Sequence, residues 1–216
     1  MVLARCLTTR STGPLAGGAC APSARGRLAW FVMRDELTRA VELLSEGRQY
    51  APFFEWPDKG GKELGVAEEF VASLNAESGL GLSDLQLQHP DPPDLTCVTA
   101  GGERAAIEIA EVVCEETVRR TAKGEGVLRM WRPGDLTSSV AALLRRKDDK
   151  TFHGGPFAHT FVCLFTDEPM LTLESARAEL ASARFGPFKQ LTGAFLLFSY
   201  QPSTQSYPVI TLVHHA

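Results

Sequence analysis

Several features that identify common classes of protein are missing from this chain of 216 residues. No apolar run approaches the roughly 20 residues that a membrane-spanning helix needs, so we expect no membrane partner. The five cysteines form no CxxC pair, which argues against zinc and favours reduced thiols in a cytoplasmic protein. A net charge of −4 gives no overall sign of nucleic-acid binding, so that role would need a local basic region.

Acidic residues are absent from residues 1–32, which contain four arginines and many small residues. This composition imitates an organellar transit peptide. The alternative, which we favour, is a start codon placed too early, because an amphipathic helix begins directly at Met33. We therefore expect residues 1–32 to be a disordered extension and residues 33–216 to form a single domain.

What is present is an alternation of helical and strand patterns, which predicts an α/β fold with a mixed sheet flanked by helices. Residues 59–62, with two adjacent glycines, are predicted as a loop, and Asp135 as the cap of its helix. The predicted helices span residues 33–46, 62–76, 135–150 and 172–184. The predicted strands span residues 85–88, 95–98, 105–113, 160–165, 194–200 and 209–213.

A hairpin near the middle of the chain carries the acids of greatest interest. Asp94 precedes the first strand, Gly101 and Gly102 form the turn, and Glu108 lies in the returning strand. Because alternate residues of a strand share a face, Glu111 points away from Glu108. Asp94 and Glu108 are thus expected to meet at one end of the hairpin.

Two carboxylates close together raise each other's pKa unless a cation lies between them. Oxygen ligands of this kind suit Mg²⁺ or Mn²⁺, and the carbonyl of Ile109 could complete the protein's share. The alternative is that Asp94, Glu108 and Glu111 are ordinary acids on a partly exposed hairpin.

Two helices place charged residues on their apolar faces, where charges are rare. Lys147 falls near the centre of the apolar stripe of its helix, with Lys150 at the edge, and Glu63 falls on the stripe of the helix over 62–76. Lys147 would be paired if its ammonium reached the carboxylates beneath the helix. The alternatives are snorkelling for Lys147, a solvated charge for Lys150 and a helix-dipole contact for Glu63.

With Pro93-Asp94 followed by Glu108-Ile109-Ala110, the chain resembles the PD-(D/E)xK nuclease superfamily, which has the restriction-endonuclease-like fold. The motif IEIAEVV followed by a helix ending RRKDDK resembles divergent bacterial members whose lysine has moved to a helix. The resemblance covers residues 62–200 and implies Asp94 and Glu108 as metal ligands, with Lys147 as the migrated catalytic lysine. Ala110 stands where the strand lysine is usual, and Glu63 would be the acid that many members supply from the first core helix.

The resemblance implies a metal-dependent nuclease that hydrolyses phosphodiester bonds in DNA or RNA, with DNA favoured. Glu111 and Lys150 are additional candidates for its site. Residues 117–150 contain nine Lys or Arg against four acids, which fits a polyanionic substrate. The predicted nucleic-acid contacts are Arg119, Arg120, Lys123, Arg129, Trp131 and Arg132.

Because Ala110 replaces the usual lysine, the competing interpretation is an inactive domain of the same fold that binds nucleic acid or protein. A third is an unrelated α/β domain in which the acids have no function. Nucleases of this type often act as dimers, which makes a second copy of the chain a candidate partner.

Overall fold

The computed structural model describes residues 58–114, 116, 119, 123, 131–168 and 170–214. The expected extension over 1–32 and the predicted helix over 33–46 lie outside these residues. The helices with defined bounds are α1 (Lys59–Ser78), α2 (Asp135–Asp148) and α3 (Leu173–Leu180). The strands are β1 (Ser83–Leu87), β2 (Leu95–Val98), β3 (Arg104–Glu111), β4 (His159–Thr166), β5 (Gly193–Phe198) and β6 (Val209–His214).

The six strands form one mixed sheet in the order β1-β2-β3-β4-β5-β6. The pairs β3–β4 and β4–β5 are parallel, and the other three pairs are antiparallel. Parallel neighbours need a crossover, and α2 and α3 supply the two crossovers. The predicted α/β class, a mixed sheet flanked by helices, is confirmed.

The sheet is covered on both faces, which explains why its central strands are buried throughout. One face packs against α1, whose Val66, Phe70 and Leu74 lie in a core with Ile107 and Ile109 of β3. The other face packs against α2 and α3. The crossovers β3–α2–β4 and β4–α3–β5 step in the same direction along the sheet. Because such crossovers have the same right-handed sense, both helices lie on the same face. None of the helices in the described ranges is both long and apolar enough to cross a membrane.

Helix α1 begins at Lys59, so the prediction of a loop over residues 59–62 was wrong. Asp58 is the N-cap, and its Oδ1 accepts a hydrogen bond of 2.7 Å from the amide of Gly61. Such a cap satisfies an amide that the first turn leaves without a partner. The cap therefore supports a helical turn that Gly60 and Gly61 alone would disfavour.

Helix α2 also begins differently from the prediction, because Gly134 is its N-cap and Asp135 is its first residue. The Asp135 carboxylate instead accepts a hydrogen bond from the backbone amide of Arg132. Helix α3 ends at Leu180, earlier than the predicted residue 184, and Thr172, where the helix was predicted to begin, is its N-cap. The prediction was too long because Ala183 continues the apolar spacing of α3 beyond its last helical residue.

The central hairpin has the predicted turn. The amide of Thr99 donates to the carbonyl of Glu103, and Gly102 adopts a left-handed φ of 78°. Only glycine adopts this conformation without a steric cost. The register pairs Leu95 with Ile107, and this register fixes how the acids on the two strands face each other.

Candidate functional site

The hairpin register brings Asp94 and Glu108 side by side. Because Leu95 pairs with Ile107, the next position outward places Asp94 opposite Glu108. Oδ2 of Asp94 accepts a 2.7 Å hydrogen bond from the amide of Ile109, which fixes its orientation. The side chains of Asp94 and Glu108 are 3% and 0% exposed, so both carboxylates are held inside the protein.

Lys147 of α2 reaches the same point from above the sheet. Its Nζ lies 2.5 Å from Oε2 of Glu108, 2.6 Å from the carbonyl oxygen of Ile109 and 3.5 Å from Oδ2 of Asp94. The ammonium has three donors, and these contacts use all of them. The structure thus brings Asp94, Glu108 and Lys147 together, in agreement with the predicted hairpin and with the interpretation in which Lys147 reaches the carboxylates.

Lys150 contacts Glu108 as well. Its Nζ lies 2.9 Å from Oε2 of Glu108 and 3.9 Å from Oδ1 of Asp91, and its side chain is one-third exposed. Burial alone would lower the pKa of Lys150, but the hydrogen bond to Glu108 and the nearby carboxylates raise it. Lys150 therefore joins the charge network from its solvent side through Glu108, although sequence reasoning left its role open.

Two side chains that sequence reasoning missed, Lys59 and Asp91, line the open side of the site. Nζ of Lys59 lies 2.9 Å from Asp91, 3.2 Å from Glu63 and 3.9 Å from Asp94. Asp91 precedes two prolines in a segment without periodicity, so the direction of its side chain could not be predicted. The one signal in the sequence that could have identified Asp91 was its place as an acid three residues before Asp94.

The charges at this open side shift several pKa values. The hydrogen bond between Lys59 and Asp91 raises the pKa of Lys59 and lowers the pKa of Asp91. Burial, followed by the charge of Asp94, raises the pKa of Glu63 above its usual value. Glu63 therefore lies beside the site, a position that the helical stripe alone left open between a paired carboxylate and a helix-dipole contact.

Glu111 lies apart from these acids, on the other face of β3. Its Oε2 accepts a 2.9 Å hydrogen bond from Lys62, whose ammonium also lies 5.2 Å from the centre of the Phe165 ring. Because the faces of a strand alternate, Glu111 and Glu108 point into different layers. We therefore place Glu111 in a separate ion pair.

Three of the acids lie close enough together to be able to hold a metal ion. Asp91, Asp94 and Glu108, hereafter the carboxylate cluster, each offer an oxygen, and these oxygens all lie within 4.8 Å of one another. Oε1 of Glu108 is buried and has no hydrogen-bond partner among the described residues, so one ligand position remains for an ion. Hard oxygen donors of this type bind Mg²⁺ or Mn²⁺.

Two of the predicted nucleic-acid contacts, Trp131 and Arg132, lie just before the start of α2, at the end opposite Lys147. Arg132 is exposed, and Trp131 is partly buried with no hydrogen-bond partner for its indole nitrogen in the described structure. At 1.5 Å per residue, the start of α2 is about 18 Å from Lys147 along the helix. Arg119 and Lys123 are exposed, whereas Arg120 and Arg129 lie outside the described residues.

Comparison with known proteins adds no relative. No family model matches the sequence, and the searches of curated proteins and of solved structures find no match either.

Proposed function

We propose that this domain is a metal-dependent nuclease that hydrolyses phosphodiester bonds, with DNA the favoured substrate. The observation that carries the proposal is the meeting of Asp94, Glu108 and Lys147 at the end of the hairpin, with Nζ of Lys147 within hydrogen-bonding distance of both carboxylates. A buried lysine among carboxylates at a strand end is also the arrangement that the resemblance to PD-(D/E)xK nucleases implies.

The carboxylate cluster would hold the cation, with Asp94 and Glu108 as its buried ligands and Asp91 at the open side. When bound there, Mg²⁺ or Mn²⁺ supplies Lewis acidity toward the scissile phosphate. Lys147 has its longest contact, 3.5 Å, with Asp94. That N–H is the donor most easily redirected to a water molecule or a phosphate oxygen, which makes Lys147 the residue that orients the attacking group.

The charged side chains at the open side of the site are exposed, so a large, charged substrate could reach it. The Lys59 side chain is 70% exposed, and Lys150 and Asp91 are also partly exposed, so the open side faces solvent. The start of α2, which follows Arg132, lies about 18 Å from Lys147 along the helix. That distance corresponds to roughly five nucleotides of one strand, so one bound nucleic acid could contact both regions.

The test is a cleavage assay on the purified full chain with double-stranded DNA, single-stranded DNA and RNA, each with Mg²⁺, Mn²⁺ or a chelator. We expect divalent-dependent cleavage that Asp94→Asn or Glu108→Gln abolishes. Glu77→Gln serves as the matched control, because Glu77 is exposed near the far end of α1, and it should leave cleavage unchanged. Cleavage that survives both cluster substitutions would exclude this function.

A second candidate function is a domain of the same fold that binds nucleic acid or protein without cleaving it. It is favoured by the three contacts of Lys147, which already use all the donors of its ammonium. Ala110 at the usual lysine position points the same way. Binding of a nucleic acid with no cleavage under either cation would establish this candidate over the nuclease.

A further inference from the structure

Lys59 occupies a position that a cation would favour. Its ammonium contacts three carboxylates, one from α1 and two from the segment before β2, at 3.2 Å from Glu63, 2.9 Å from Asp91 and 3.9 Å from Asp94. Two of these acids, Asp91 and Asp94, belong to the carboxylate cluster. The Lys59 ammonium and a cation bound by the cluster would therefore compete for the same negative charge.

Within helix α1, Lys59 has one favourable partner, Glu63 at i+4, at a position where the helix dipole opposes a positive charge. Lys59 is the first residue of the helix, and no acid lies in the first turn. A positive charge at a helix N-terminus is unfavourable because the amide groups there carry partial positive charge. The three carboxylates, two of which lie outside the helix, are thus the favourable partners of Lys59.

The contacts of Lys59 are also easy to exchange. Its side chain is 70% exposed, whereas that of Lys147 is 7% exposed and donates in addition to the carbonyl of Ile109. Ion pairs in solvent contribute little to stability, so moving Lys59 into water costs little. Moving Lys147 would take the most deeply buried ammonium of the site away from two buried carboxylates, which costs much more.

We propose that Lys59 competes with the divalent cation for the carboxylate cluster. The Lys59 ammonium leaves the cluster when the cation binds, and this competition sets the affinity of the site for the cation. The inference rests on the proposed metal-dependent function. It adds a residue that tunes metal affinity from outside the ligand set, since a lysine offers no oxygen to the ion.

The test is calorimetric titration of Mn²⁺ into the metal-free full chain, compared with the variants Lys59→Met and Lys62→Met. We expect Lys59→Met to bind Mn²⁺ about tenfold more tightly, near the low end of the roughly 5- to 150-fold coupling typical between two ligands. Lys62→Met removes the same charge one turn along α1, from a lysine that contacts Glu111. It should change the affinity by less than about twofold, because solvent and salt screen the more distant charge.

The outcomes separate the two proposals. Unchanged or weaker Mn²⁺ binding by Lys59→Met, with binding by the unmodified chain that Asp94→Asn abolishes, would overturn the role of Lys59 and leave the metal site intact. An equal gain in Lys59→Met and Lys62→Met would also overturn it, because net charge alone would then explain the effect. Absence of Mn²⁺ binding in every variant would overturn both proposals.

Discussion

The charged site has an inner and an outer half, and the two differ in how the protein holds them. The inner half consists of Asp94, Glu108 and Lys147, with side chains 3%, 0% and 7% exposed. The outer half consists of Lys59, Glu63 and Asp91, with side chains 70%, 15% and 39% exposed. Both halves pair ammonium groups with carboxylates, but only the inner half does so out of contact with water.

The difference follows from the elements that carry the residues. The inner half is fixed by the β2–β3 register and by a residue near the end of α2. The outer half is carried by the first turns of α1 and by the segment before β2. Removing one partner of a buried pair leaves a desolvated charge, whereas an exposed charge that loses its partner is solvated by water. The inner half should therefore determine stability, and the outer half should be exchangeable.

The sharpest test of this contrast is Lys147→Met, for which we expect the largest loss of stability. The substitution keeps a long apolar side chain but leaves Asp94 and Glu108 buried without the ammonium between them. Breaking a buried ion pair in this way costs about 3–5 kcal/mol. Urea denaturation of the metal-free protein measures the change in the free energy of unfolding.

The matched control is Arg146→Met, which removes a neighbouring positive charge that is exposed on the same helix. Substitutions at such positions usually change stability by less than about 0.5 kcal/mol. If Lys147→Met were no more destabilising than Arg146→Met, the inner half would not differ from the surface and the contrast would fail.

A pair of intermediate exposure should give an intermediate result. Lys62 and Glu111, on the other face of β3, have side chains 28% and 21% exposed. We expect Lys62→Met to lower the free energy of unfolding by about 1 kcal/mol, the upper end for ion pairs that water still reaches. The same urea experiment measures it, and a loss as large as that from Lys147→Met would show that exposure does not rank these pairs.

Substitutions in the outer half should change the free energy of unfolding less than substitutions in the inner half. Asp91→Asn removes a carboxylate that pairs with Lys59 at 2.9 Å, but both side chains reach solvent. We expect a loss of at most about 0.5 kcal/mol, in the lower range for exposed pairs. A loss of several kcal/mol would mean that the outer half is structural, which would also argue against an exchangeable Lys59.

The same contrast explains how much the sequence could predict. Strand alternation and the glycine turn were enough to place Asp94 beside Glu108, and the helical stripe was enough to place Lys147 above them. These residues belong to regular elements, in which the spacing along the chain determines direction. The α/β class followed for the same reason, from the alternation of helical and strand patterns.

For Lys59 and Asp91 of the outer half, the spacing along the chain did not indicate a regular element or the direction of the side chain. Two glycines after Lys59 indicated a loop, because the stabilising cap of Asp58 is an interaction that residue propensities do not contain. Asp91 lies in a proline-rich segment whose path depends on tertiary contacts, such as the hydrogen bond from the amide of His153 to the carbonyl of Pro92. Where no periodicity exists, the direction of a side chain cannot be derived from its position in the sequence.

Glu63 belongs to the outer half but is close enough to Asp94 of the inner half for the two charges to interact. Its titration gives the smallest of the expected effects on stability. Burial, and then the charge of Asp94, raises its pKa above the usual 4.5, while Lys59 opposes the shift. Since the folded protein binds the proton more tightly than the unfolded chain, protonated Glu63 favours the folded state. This contribution is complete below pH 4.5 and is lost as the pH rises through the folded-state pKa.

We therefore expect the stability of Glu63→Gln to improve relative to the unmodified protein as the pH rises above 4.5, because the glutamine has no charge to bury. Urea denaturation at several pH values in the presence of a chelator measures the difference. In a Lys59→Met background the same comparison should give a larger pH dependence, because the ammonium that lowers the pKa of Glu63 is gone. If the Lys59 substitution left this pH dependence unchanged, solvent would already screen the two charges, and the outer half would act as independent residues.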